Sequence, residues 1–88
     1  MTDRNIVYTI RSCPFCVRAK GLLQEMGVDY EEVLIEDREE MMKLKETYGW
    51  RTFPMIIING NFLGGFQDVQ SLVERGEFEE AVSGASSL

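Results

Sequence analysis

Histidine is absent from the sequence. That removes the usual general base near neutral pH and the commonest protein metal ligand. Cysteine is almost as scarce: there are two, Cys13 and Cys16, within four positions of each other. Structural zinc generally takes four Cys or His ligands, so no metal site within one chain is expected. Positive charge is also in deficit, with nine Lys and Arg against fifteen Asp and Glu and a net charge of -6. Phosphate contacts need a basic surface, so nucleic acid is not the expected ligand. No apolar run approaches the ~20 residues needed to cross a bilayer. Met1-Thr2-Asp3-Arg4 lacks the basic region and apolar stretch of a signal peptide. A soluble, cytoplasmic protein without a membrane partner is the expectation.

What remains is ordinary globular material: 88 residues, 44% apolar and 27% charged. That length holds one domain, residues 1–88, with a frayed tail over 83–88. Asn5 to Ile10 is β-branched and aromatic and reads as a first strand. Pro14 suits the first helical turn, which makes Cys13 an N-cap. Cys16, Ala19, Leu23 and Met26 then recur at helical spacing, and Gly27 stops the helix. Tyr30 to Ile35 reads as a second strand. A helix over about Asp37 to Tyr48 would turn Met41, Leu44 and Tyr48 inward, with Gly49 ending it. The acidity of Asp29 to Glu46 reads chiefly as a solvated face, with an acidic docking patch as the lesser alternative. Met55 to Ile58 is a short apolar run typical of a strand buried on both faces. Asn59-Gly60 signals a hairpin returning through Asn61 to Gly64. A last helix over about Gln67 to Arg75 would bury Val69, Leu72 and Val73. A further turn or short helix would bring in Phe78, Ala81 and Val82. The order β-α-β-α-β-β-α gives an α/β fold, a four-stranded mixed sheet flanked by helices.

The cysteine pair admits three readings: half of a metal site, a structural bridge, or a working dithiol. The metal reading lacks ligands. A structural bridge would close a loop of only four residues, where the entropic gain is small, and a reducing compartment opposes it. The dithiol reading has positive support. A thiolate at a helix N-terminus is stabilised by unpaired N–H groups and the helix dipole, and Arg11 and Arg18 add charge nearby. Cys16, one turn in, lies on the apolar face. One exposed attacking sulfur and one protected resolving sulfur follow.

Cys13-Pro14-Phe15-Cys16 after a strand resembles the Cys-Pro-Tyr-Cys site of dithiol glutaredoxins. Thr52-Phe53-Pro54 is similar to their Thr-Val-Pro segment, and Gly64-Gly65-Phe66-Gln67-Asp68 to their Gly-Gly-x-x-Asp turn. The three stand in the family's order over about residues 4 to 82. The resemblance implies a thioredoxin-like fold and a monomer with no tightly bound cofactor and no metal. It further implies an enzyme that reduces protein disulfides and protein–glutathione mixed disulfides, with glutathione as co-substrate.

Cys13 would be the nucleophile and Cys16 the resolving thiol. Pro54 would be a cis-proline facing them, leaving the Phe53 backbone to pair with glutathione beside Thr52. Gly65, Phe66, Gln67 and Asp68 would hold the γ-glutamyl end, by helix N–H groups and by the Asp68 carboxylate. Arg51 and Arg11 would meet the glycine carboxylate, and Phe15 would form the rim. Trp50 reads as an ordinary, partly buried aromatic.

The sequence departs from the family pattern at three places. Ile10 stands where the family commonly has a lysine, leaving Arg11 as the nearest charge. Phe53 is bulkier than the usual valine, and Phe66-Gln67 replaces a small or polar pair. Two alternatives remain: an electron donor recharged by thioredoxin reductase, for example for ribonucleotide reductase, and a dimeric iron–sulfur carrier.

Overall fold

The computed structural model describes residues 5–83. Eight elements follow in order: β1 (Ile6–Thr9), α1 (Pro14–Glu25), β2 (Glu31–Leu34), α2 (Arg38–Tyr48), β3 (Met55–Ile58), β4 (Asn61–Gly64), α3 (Phe66–Glu74) and α4 (Phe78–Ser83). The four strands form one mixed sheet in the order β2-β1-β3-β4. β1 pairs parallel with β2, with α1 as the crossover, and antiparallel with β3; β3 pairs antiparallel with β4. The expected α/β architecture is borne out, and the further turn or short helix expected at Phe78, Ala81 and Val82 is α4. The expected frayed tail lies, apart from Ser83, outside the described residues, as does Met1-Thr2-Asp3-Arg4.

β3 is the backbone of the core: Met55, Ile56, Ile57 and Ile58 are all buried. Both of its faces are covered, which is why the run is apolar without alternation. Val7, Ala19, Leu23, Ile56, Ile58, Val69 and Phe78 make one contiguous cluster that joins the sheet to α1, α3 and α4. Full burial of each large side chain contributes about 1.5–3 kcal/mol, so stability is concentrated on this face. On the other face, Tyr48 at the end of α2 stacks on Phe62, which stands opposite Ile57 in the hairpin.

α2 itself buries no residue fully; Met41, Leu44 and Tyr48 face inward but are only half-covered. Its ends are nonetheless well specified. The Asp37 side chain accepts from the Glu40 N–H, and Gly49 closes the helix at φ 62, where a side chain would be strained.

The hairpin turn is built by Asn59 at φ 55 and Gly60 at φ 79, the pair of positive φ values that a two-residue turn requires. The β3–β4 register then shifts, with Ile56 opposite Gly64 and Ile57 opposite Phe62. Leu63 is thereby left without a partner. A bulge of this kind bends a strand. Here it delivers Gly64 and Gly65 to the start of α3, beside the cysteines' end of the sheet.

Candidate active site

Cys13 is where β1 hands over to α1. After Thr9 the chain turns through Arg11 and Ser12, the latter at φ 55, and Cys13 takes an extended conformation (φ -116, ψ 98) as the N-cap. Pro14 at the first helical position has no N–H to leave unpaired. The Cys13 carbonyl accepts from the N–H groups of Cys16 and Val17, at 3.0 and 3.2 Å. Its Sγ accepts from the Cys16 N–H at 3.1 Å. A thiol is a poor capping acceptor and a thiolate a good one, so this hydrogen bond favours the charged, nucleophilic form.

The two cysteines are joined as a disulfide, Cα to Cα 5.2 Å. Cys13 is half-exposed, whereas Cys16 is 2% exposed. The expected inequivalence is present: only the first sulfur can be approached from solution. Cys13 Sγ also lies 3.7 Å from the Phe53 carbonyl oxygen, within reach of a thiol proton once the bridge is reduced. The Phe53–Pro54 peptide bond is cis.

Beside the pair, toward β3 and α3, runs a groove of about 220 Å³ lined by Phe15, Trp50, Thr52, Phe53, Gly65, Phe66, Gln67 and Asp68. Phe15 and Phe66 approach across it with ring centroids 6.2 Å apart, and the Arg18 guanidinium sits 5.4 Å from the Phe15 centroid. That placement keeps a cation at the rim. At the start of α3 the Asp68 carboxylate accepts the Gly65 N–H at 3.0 Å. One oxygen therefore caps the helix while the carboxylate as a whole faces the groove. The first-turn N–H groups and this carboxylate put a donor array and an anion side by side, a fit for a zwitterionic end group.

Of the ten residues expected around a ligand, seven line this groove. Pro54 is buried behind it, its carbonyl 3.6 Å from the point a Cβ on Gly65 would occupy. Arg51 is exposed next to Thr52. Arg11 stands apart: its Nη2 and Nε both reach Glu36 Oε2, at 2.6 and 2.7 Å, and it lines neither the groove nor its rim.

Trp50, read from sequence as a packing aromatic, belongs to the groove wall. Its ring meets Phe62 edge-on at 5.4 Å, and its buried Nε1 has no acceptor among the described residues. An unpaired buried donor costs about 1–3 kcal/mol, and such groups concentrate at sites that gain a partner in function. Position alone could have flagged it, since it directly precedes Arg51-Thr52-Phe53-Pro54.

On the β2 side, Thr9 Oγ1 and Lys20 Nζ both donate to Glu32 Oε2, at 2.9 and 3.0 Å. The hydrogen bonds from Lys20 and then Thr9 hold the Glu32 carboxyl below its ordinary value of 4.5, against the opposing effect of burial and with a lesser contribution from the lysine charge. A lowered carboxylate pKa contributes stability above the unfolded value and loses it as pH falls through the folded one. With the Glu32 side chain 37% exposed, solvent screening limits this to about 0.2–1 kcal/mol. Glu32→Gln should therefore lower the urea midpoint slightly at neutral pH and by less well below pH 4.5. An equal deficit at both pH values would show that shape, not charge, is what Glu32 supplies.

The glutaredoxin family model matches residues 5–63. A Pseudomonas aeruginosa glutaredoxin is 35% identical over 79 residues, covering 89% of this chain and 94% of that protein. Glutaredoxin 3 of Escherichia coli is 40% identical over 74 residues, covering 80% and 86%. Among solved structures, a Brucella melitensis glutaredoxin superposes with a TM-score of 0.79 at 32% identity, covering 91% of this chain and 88% of that one. A buckwheat glutaredoxin–glutathione complex superposes at 0.80 with 22% identity, covering 98% and 82%, a likeness of fold alone.

Proposed function

This chain is a member of the glutaredoxin family, thiol–disulfide oxidoreductases that work through a Cys-x-x-Cys pair, and from that premise we propose that glutathione is its electron donor. Its substrates would be protein disulfides and protein–glutathione mixed disulfides, in the cytoplasm. The observation that carries this reading is the groove beside Cys13, whose floor sets the N–H groups of α3 against the Asp68 carboxylate. The γ-glutamyl end of glutathione bears an α-carboxylate and an α-ammonium on one carbon, and that pair of groups matches it. Arg51, exposed beside Thr52, is within the same stretch of chain and suits the glycine carboxylate at the other end.

For a mixed disulfide, the Cys13 thiolate attacks the glutathione sulfur; the new S–S bond forms as the old one breaks and the protein leaves as a thiolate. A second glutathione thiolate then attacks the bound glutathione sulfur, releasing glutathione disulfide and restoring Cys13. For a protein disulfide, Cys13 attacks one sulfur and Cys16 displaces it, which leaves the Cys13–Cys16 bridge; two glutathione molecules reduce that bridge in turn.

Asp68→Ala and Arg51→Ala should each lower catalytic efficiency on a glutathione mixed disulfide by about 1–3 kcal/mol, the worth of a hydrogen bond to a charged group. Trp50, the single tryptophan and part of the groove wall, gives an independent binding readout by its fluorescence. Unchanged efficiency and unchanged glutathione binding in both variants would reject the groove assignment.

A further inference from the structure

A second groove, of about 530 Å³, opens from Cys13 on the other side of β1, between α1 and the edge strand β2. Val17 comes from α1 and Leu34 from β2, and Ile10, Cys13 and Cys16 close its inner end. Val17 is 63% exposed and Leu34 47%. Four large hydrophobic side chains are exposed among the described residues, and three of them (Phe15, Val17 and Leu34) border one groove or the other. Apolar surface gathered around a reactive sulfur marks a place of contact rather than chance exposure.

Building on the glutathione reading above, we propose that this second groove seats the polypeptide half of the substrate, the residues flanking its cysteine. A mixed disulfide joins two unlike halves. Any such substrate of Cys13 brings a peptide chain within a few bonds of that sulfur, and the groove begins there. The first groove offers paired charges to a zwitterion. The second offers aliphatic side chains, with its two charged residues, Lys20 and Glu32, already bonded to each other and Thr9 donating to Glu32.

The charge around it defines the segment further. Residues 29–37, β2 and its flanks, carry five acidic and no basic residues, and the nearby cations Lys20 and Arg11 are engaged by Glu32 and Glu36. The matching segment has an aliphatic residue beside its cysteine and Lys or Arg beyond it. A second copy of this chain is a poor occupant, because each carries a net charge of -6.

The test compares three substrates: a ten-residue peptide whose glutathionylated cysteine is flanked by leucine and lysine, its counterpart flanked by glycine and aspartate, and the mixed disulfide of glutathione with mercaptoethanol. Val17→Ser combined with Leu34→Ser changes only exposed side chains. It should lower kcat/KM about tenfold on the leucine–lysine peptide, the scale of a lost apolar pocket contact, and leave the other two substrates unchanged. Equal loss on all three, or no loss on the first, overturns the proposal. If the unaltered protein turns over none of them, the glutathione reading fails on its own. The docking surface is then judged on the same peptide joined to Cys13 of the Cys16→Ser variant. Methyl NMR shifts at Val17 and Leu34 on joining support it, and shifts confined to Trp50 and Phe66 overturn it. Concentration-dependent shifts in the free protein would place a second copy there and also overturn it.

Discussion

Cys13→Ser should abolish all disulfide reduction, whereas Cys16→Ser should abolish only one half of it. Cys13 is the half-exposed sulfur, capped by the Cys16 N–H at 3.1 Å, and serine in its place is not ionised at neutral pH and cannot form a disulfide. Removing glutathione from a mixed disulfide needs this one thiolate, because a second glutathione regenerates it from solution. Releasing a protein that stays bonded to Cys13 is different. Cys16, three residues along the same helix start with its Cα 5.2 Å away, acts at an effective concentration that free thiols cannot match. Cys16→Ser should therefore keep mixed-disulfide turnover within a few-fold and lose nearly all reduction of an insulin-type protein disulfide. Both variants measured on both substrates give four rates. Loss of mixed-disulfide activity in a folded Cys16→Ser protein would mean that the chemistry always passes through the internal bridge.

Gly64→Ala should damage stability and activity together, although the residue bears no functional group. Gly64 follows the bulge in the β3–β4 hairpin at φ 108, a conformation that costs a residue with a Cβ about 1–3 kcal/mol. The added Cβ would also lie 2.9 Å from Asp68 Oδ2 and 3.0 Å from its Cγ. The carboxylate must then move, and with it goes the bond from the Gly65 N–H that caps α3, worth about 1 kcal/mol. The same displacement takes the anion away from the groove. The variant should unfold at lower urea and, where still folded, bind glutathione more weakly, with Cys13 alkylation unchanged. Gly21→Ala, whose Cβ meets nothing, is the control and should be neutral or mildly stabilising. Full activity and stability in Gly64→Ala would disconnect the turn from the site.

The elements that could be read from sequence are those whose causes are local. Cys13-Pro14 announces an N-cap followed by a first helical residue, and Asn59-Gly60 a turn with two positive φ values; both stand as expected. The unbroken run Met55 to Ile58 stated its own burial. Periodicity was less informative for α2. The spacing of Met41, Leu44 and Tyr48 identifies the inward face but not how much covers it, and that face is only half-buried while Met42 beside it is 57% exposed.

Features made by distant residues were not legible. Arg11 is committed to Glu36, 25 positions away, and nothing in either neighbourhood announces the pair. Thr9 looks like one more strand residue, yet it is a buried hydroxyl serving Glu32. The bulge at Leu63 depends on the register of two strands, and the unpaired indole N–H of Trp50 on the packing of Gly65 beside it. The second groove exists only because α1 and β2 stop short of covering each other's apolar residues.

The most direct test of the central claim is the choice of electron source. Starting from the oxidised protein, NADPH consumption is followed on a glutathionylated peptide with either glutathione and glutathione reductase or thioredoxin reductase as the sole supply. The groove with its Asp68 carboxylate and helix N–H groups predicts steady turnover with glutathione and little or none with thioredoxin reductase. Turnover with thioredoxin reductase and none with glutathione would contradict it.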